Sequence, residues 1–224
     1  MHTVHAVMAV KHIDRAKSRL ANMLTTEQRG RLVLAMFADT VVAATAVPAL
    51  ASLTVVTPDP LVAARAGELG AHVLAEPPGR HDPLNTALAA GAQDVRDRYG
   101  PTRLLALQAD LPALRTAELA DVLAVAADGA RALVIDHTGT GTAALLVGDR
   151  TAALAPRFGA ESARAHRDGG ARALSGHWPG LRCDVDTPAD LVAVRALGVG
   201  AFTADTLRDI GMTSQRSDPV RTVC

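Results

Sequence analysis

The sequence predicts a single α/β domain with a mainly parallel, doubly wound sheet and a short antiparallel excursion. Three observations predict it. Short runs rich in Val and Leu alternate with longer segments of helical spacing. Cap and stop residues fall between them at the connection lengths of βαβ units. One stretch, 131–147, passes from strand to glycine turn to strand with no helix between.

Residues 4–10 (VHAVMAV) form the first predicted strand. Thr25 followed by Gln28 reads as a capping box opening a helix over 27–46, which Pro48 ends. Residues 53–57 are β-branched and strand-like; Pro58-Asp59-Pro60 turns into a helix that stops at Gly70. A strand over 71–75 is followed by a loop and by Asp82-Pro83, an N-cap and first-position proline for a helix to Tyr99. Then come a strand at 104–109, a helix from Thr116 to Ala127, and strands at 131–136 and 143–147. A short strand is expected at 182–186, before a helix from Pro188 to Leu197. The domain is expected to span 1–202, leaving 203–224 as a polar, loose tail.

Composition excludes several functions. Lys+Arg and Asp+Glu both number 23, so no basic field exists to hold a nucleic-acid backbone. Aromatics are 2%, too few for a base-stacking platform. Cys183 and Cys224 cannot build a disulfide framework, and no 18-residue apolar run or basic-then-apolar leader is present. A cytoplasmic protein that binds neither nucleic acid nor membrane is therefore expected. There is no P-loop, no G-x-S-x-G and no H-E-x-x-H; the one G-x-G, Gly139-Thr140-Gly141, lies between strands rather than opening a helix.

Five segments carry candidate chemistry. AVKHIDRAKSRLA (9–21) places Lys11, Arg15, Lys17 and Arg19 after the first strand, where open α/β sheets bind ligands. They suit a polyphosphate, or simply a solvated basic face. LLALQADLPAL (104–114) ends a strand in Asp110, which can hold a hard cation or merely form a turn. In RCDVDTPADL, Asp184 and Asp186 alternate on the expected strand and so point the same way. Two such carboxylates repel unless a cation or donors lie between them, while Thr187 and Asp190 can cap the next helix. GTGTAALL and RFGAESARAH offer Thr140, Thr142, Gly159 and Ser162 for a small phosphorylated acid, or ordinary turns and a cap. In HDPLNTAL, Asp82 and Asn85 either contact a base or ribose or cap the helix.

Together, in this order and over nearly the whole chain, these segments resemble the guanylyltransferases of coenzyme F420 biosynthesis, a branch of the molybdenum-cofactor-type nucleotidyltransferases. Those wider relatives carry a glycine-rich loop after the first strand; here that place holds VKHIDRAKSRL, as in the F420 branch. The resemblance implies a Rossmann-like nucleotidyltransferase sheet and transfer of GMP from GTP to a phosphorylated acid, with release of pyrophosphate. Phosphoenolpyruvate is the favoured acceptor, because the Ala/Arg/Gly-rich usage resembles the actinobacterial branch; 2-phospho-L-lactate and phosphoglycerate are the alternatives. It implies Mg²⁺ on Asp110, Asp184 and Asp186, the acid on Thr142, Gly159 and Ser162, and GTP phosphates on Lys11 and Lys17. Lys11, Lys17 and Asp110 are the expected catalytic groups, Asp82 and Asn85 the candidate nucleotide contacts, and downstream F420 enzymes the expected partners. A transferase using another nucleotide, or a non-catalytic nucleotide-binding module, are the rival readings.

Overall fold

Seven strands line up in the order β3-β2-β1-β4-β6-β5-β7 in the computed structural model, which describes residues 3–78, 82–126 and 129–212. The strands are β1 (Val4–Ala9), β2 (Leu50–Thr57), β3 (His72–Ala75), β4 (Arg103–Leu107), β5 (Arg131–Ile135), β6 (Thr142–Val147) and β7 (Arg172–Ala173). β1 pairs in parallel with both β2 and β4, so the chain winds outward from β1 in one direction and returns on its other side. The gap between β1 and β4 is thus a topological switch point, where open α/β sheets place ligands beyond the carboxyl ends of the strands. β6 runs antiparallel to both β4 and β5. Its first residue, Thr142, therefore reaches the same edge as the last residues of β4. The antiparallel excursion expected over 131–147 is this β5–β6 pair.

Alternation along the strands feeds two cores, one on each face. Ala6, Met8, Leu105 and Leu107 pack on one side against α1 (Thr26–Thr45) and α4 (Thr116–Val125). Val7, Leu104, Ala106 and Leu145 pack on the other against α3 (Pro83–Tyr99). α3 comes close because residue 91 is glycine: a Cβ there would stand 2.5 Å from Val7 Cγ1 and 2.8 Å from Val56 Cγ2. The helix openings are as the sequence indicates. Thr25 and Gln28 complete a capping box on α1, and Asp59 caps α2 (Pro60–Glu68). Thr187 and Asp190 form a second box on α7 (Pro188–Leu197). Ala127, the expected end of α4, and His81, Arg80 and Cys224 lie outside the described residues.

Two expectations are corrected. Residues 183–186 are not a strand: they are an extended connection between a short helix, α6 (Pro179–Arg182), and α7. Two backbone amides of that turn, Gly180 and Leu181, donate to the buried Glu118 carboxylate at 3.2 and 2.7 Å. The Arg182 carbonyl accepts from the His137 amide at 2.8 Å, so the connection enters beside the end of β5 without pairing along a strand. Nor does ordered structure stop at residue 202. Helix α8 (Ala201–Asp209) runs through the expected boundary because the buried Asp39 carboxylate accepts from the amides of Phe202 (3.1 Å) and Thr203 (2.8 Å). A side chain on Gly200 would collide with Asp39, its Cβ lying 2.2 Å from Oδ1. The remainder of the expected tail, 213–224, lies outside the described residues. A seven-residue helix, α5 (Ser162–Asp168), precedes β7.

Candidate active site

Three carboxylates from distant parts of the chain meet beyond the carboxyl edge. Asp110 follows β4; Asp184 and Asp186 come from the connection into α7. Each offers an oxygen, and these oxygens lie within 4.8 Å of one another. Asp110 Oδ1 and Asp184 Oδ1 are buried and accept no hydrogen bond among the described residues. Burial, reinforced by the charges of Asp110 and Asp186, pushes the Asp184 carboxyl up to about 7. Buried, unsatisfied, mutually repelling carboxylate oxygens are the donor set a hard divalent cation requires. Cys183 beside them is buried, and burial raises its thiol to about 11, so it is no nucleophile.

Lys17 is the cation at this cluster. Its ammonium hydrogen-bonds Asp110 and, at 2.7 Å, Asp186 Oδ1. Burial opposes its charge, but the two carboxylates outweigh that and hold the ammonium protonated well above its usual range. The backbone of Lys17 is left-handed (φ 53°), in a loop pinned by the Ile13 amide, which donates to Asp59 Oδ2 at 3.0 Å. The cap of α2 thus also sets the loop that follows β1.

Two clefts flank the cluster. The smaller, about 220 Å³, is lined by Lys11, Lys17, Gln108 and Asp110 over Val33 and Phe37. The larger, about 590 Å³, is lined by Asp184, Asp186, Thr142, Gly159, Ser162 and Arg19, with Gln108 common to both clefts. The turn before β6 is stiff: Asp136 accepts from the Thr138 hydroxyl at 2.9 Å and the Gly139 amide at 2.9 Å. Gly141 has no room for a Cβ, which would lie 2.2 Å from Asp136 Oδ2.

Of the expected site residues, Asp110, Asp184, Asp186 and Lys17 come together directly. Asp184 and Asp186 share a direction through the extended connection and not through a strand. Thr142, Gly159 and Ser162 come together across the larger cleft. Ser162 is the first residue of α5 and not its cap; the N-cap is Glu161, in a left-handed conformation (φ 54°) without a side-chain bond. Lys11 faces the smaller cleft, with its ammonium paired to Glu76 and donating to the Pro83 carbonyl at 2.8 Å.

Asp82 and Asn85 are turned to other work. The Asn85 amide donates to the Phe158 carbonyl (2.9 Å) and accepts from the Phe158 amide (2.8 Å), while Asp82 accepts from Asn85 Nδ2 at 3.0 Å. With Asn85 buried and both ends of its amide engaged, the pair fastens the loop carrying Gly159 onto α3. With its Nδ2 hydrogens given to Asp82 and Phe158, Asn85 has no donor left over for a base.

Residues the sequence reading passed over also shape the site. His137 bonds Asp190 Oδ1 at 3.0 Å and stands 3.6 Å from Asp184 Oδ1. Burial lowers its basicity, but Asp190 and the neighbouring groups outweigh that and raise it. His166 lies beneath Thr142. It is one helical turn beyond Ser162, a spacing that puts both on one face and was readable from the motif.

The family described as "Guanylyl transferase CofC like" matches residues 4–223. A phosphoenolpyruvate guanylyltransferase of Nocardia farcinica is 59% identical over 224 residues, covering 100% of this chain and 99% of its own. One from Mycolicibacterium paratuberculosis is 52% identical over 204 residues, 90% of each chain. Among solved structures, a nucleotide-diphospho-sugar transferase described as putative, from Desulfovibrio desulfuricans, superposes with a TM-score of 0.67 at 15% identity, covering 93% of this chain and 95% of its own. A 4-diphosphocytidyl-2C-methyl-D-erythritol synthase gives 0.57 at 13% identity, covering 88% and 99%. These two likenesses establish the fold.

Proposed function

The chain belongs to the CofC-like guanylyltransferase family, and on that premise we propose that it transfers GMP from GTP to phosphoenolpyruvate. A phosphate oxygen of the acid attacks the α-phosphorus of GTP in line; the bond to the β-phosphate breaks, and pyrophosphate leaves. The product is enolpyruvoyl-diphospho-guanosine, an intermediate for coenzyme F420 assembly. The observation that carries this reading is the meeting of Asp110, Asp184, Asp186 and Lys17 on the ridge between two clefts, one lined by cations and one by hydroxyls and glycine.

On this reading the smaller cleft takes the GTP polyphosphate and the larger takes the acid. Asp110, Asp184 and Asp186 would hold Mg²⁺, which when bound neutralises charge on the reacting phosphates. Lys17 sits beside that cluster with a permanent charge and stabilises the departing pyrophosphate. Lys11 offers a second cation once its pairing with Glu76 is exchanged for phosphate. Thr142, Gly159 and Ser162 orient the acid, and the stiff loops around them keep its phosphate aimed at the ridge. Positioning and charge neutralisation suffice for phosphoryl-type transfer, so no side-chain nucleophile is needed.

The test is pyrophosphate release from GTP with Mg²⁺ and a panel of acids: phosphoenolpyruvate, 2-phospho-L-lactate and 3-phosphoglycerate, with CTP and ATP as nucleotide controls. Release is expected with GTP and highest with phosphoenolpyruvate. Asp110→Ala should lower turnover by roughly 10³-fold with circular dichroism unchanged. No release with any acid, or a preference for CTP, overturns the reading.

A further inference from the structure

His166 is buried at 2% exposure between α5 and the sheet, and neither the transfer chemistry nor the expected acid subsite uses it. Its two ring nitrogens have different partners. Nε2 lies 2.9 Å from the backbone nitrogen of Arg157, and Nδ1 lies 2.9 Å from Thr142 Oγ1. A backbone N–H can only donate, so Nε2 must be the acceptor and the ring proton resides on Nδ1. Nδ1–H then donates to the Thr142 oxygen, and the Thr142 hydroxyl keeps its own hydrogen for another acceptor. Thr142 lines the larger cleft.

We infer that His166 is a positioning residue for the acid subsite, fixing the Thr142 hydroxyl as a donor toward an anionic oxygen of the bound acid and holding the Arg157–Gly159 loop at the same distance from β6. The inference rests on the proposed acid subsite and adds the group that orients it. Its surroundings keep the ring neutral, as the role requires. Burial first, then the guanidinium groups of Arg131 and Arg157, push it down to about 4, while the Ser162 backbone acts in the opposite sense. The Phe158 ring meets the imidazole edge-on at 5.1 Å between centroids, which fixes its plane. A charged ring would lose the Arg157 bond and release the loop; a ring protonated at Nε2 would turn the Thr142 hydrogen inward.

Two measurements decide it. In the wild-type protein, long-range ¹H–¹⁵N correlation of the histidine rings, with His166 identified by its loss in His166→Asn, is expected to show the Nδ1–H tautomer. An Nε2–H tautomer overturns the inference. In steady-state pyrophosphate release, His166→Phe and Thr142→Val should each raise KM for phosphoenolpyruvate roughly tenfold, the scale of one hydrogen bond to an ionised group, and leave KM for GTP nearly unchanged. The double variant should be no worse than His166→Phe alone, since the histidine acts on the acid both through the Thr142 hydroxyl and through the loop. His166→Asn, which keeps a donor near the Nδ1 position, should recover part of the loss. Additive effects, or an active wild type whose KM for the acid is unmoved in His166→Phe, break this inference alone. A wild type inactive on every acid breaks the functional reading instead.

Discussion

The cleft on the parallel side of the sheet and the one on the antiparallel side are built from opposite materials. On the parallel side the lining cations are already paired: Lys11 with Glu76, Lys17 with Asp110 and Asp186. On the antiparallel side Asp184 keeps one buried oxygen, Oδ1, without a donor among the described residues and its carboxyl is pushed up to about 7, while the loops around it are tied down by Asp136, Asn85 and His166. The difference teaches how two anionic reactants can share one ridge. On the proposed function, the parallel cleft would release cations by exchanging one anion for another, while the antiparallel cleft would keep its geometry and take in positive charge at its carboxylates.

The comparison breaks most decisively at Lys17, which bonds both Asp110 and Asp186. Lys17→Met is expected to lower turnover by roughly 10²–10³-fold, the scale of a lost transition-state charge contact. It should also destabilise the metal-free protein by about 1–3 kcal/mol at neutral pH, because two neighbouring carboxylates lose their shared donor. Turnover and a urea melt measure the two effects; near-wild-type values in both would show that the clefts do not communicate through this ammonium.

Acid sharpens the rigidity of the antiparallel side. In the folded protein the His166 ring is held at about 4, below its ordinary value of 6.5. As pH falls through 6.5 the unfolded chain takes up a proton that the folded protein refuses. The neutral ring's contribution is complete above that pH and is lost progressively down to pH 4, by up to ~3 kcal/mol. The wild-type minus His166→Asn difference in urea stability should follow this window. A difference that stays flat from pH 7 to 4 would mean that the ring is not held neutral.

Asn85→Ala tests the fastening of the Gly159 loop. Unpairing the Phe158 backbone should cost about 2 kcal/mol in a urea melt. The ratio of GTP to ATP use should not change; a shifted ratio would return Asn85 to the base. The smallest effect is expected far from both clefts. Arg31 and Asp209 pair at 2.8 Å across α1 and α8, with side chains 48% and 60% exposed. Asp209→Asn should move stability by less than about 0.5 kcal/mol and leave turnover alone, as exposed ion pairs do.

Much of this was legible in order along the chain, because local chemistry writes local structure. Thr25 with Gln28, Asp59 before Pro60 and Thr187 with Asp190 name helix starts wherever they fall. Asp110 at the end of an apolar run says that a carboxylate sits at a sheet edge. The failures are just as specific. RCDVD has strand-like alternation, yet Glu118, over sixty residues upstream, captures the turn before it and leaves the segment as a connection. The polar residues after 202 read as a loose tail, yet Asp39 in α1 caps them into a helix. Asn85 is legible as a helix-start residue, but the Phe158 backbone that takes both ends of its amide is not.

The sequence by itself determined the sheet class, the openings of the capped helices and which residue types stand where anionic ligands would be bound, since propensity, capping and periodicity act over a few residues. Only the tertiary structure decided which of those groups face one another and which are consumed in holding a loop. Partnership across tens of residues depends on the strand order, which sets β6 beside β4, and no short stretch of sequence encodes that.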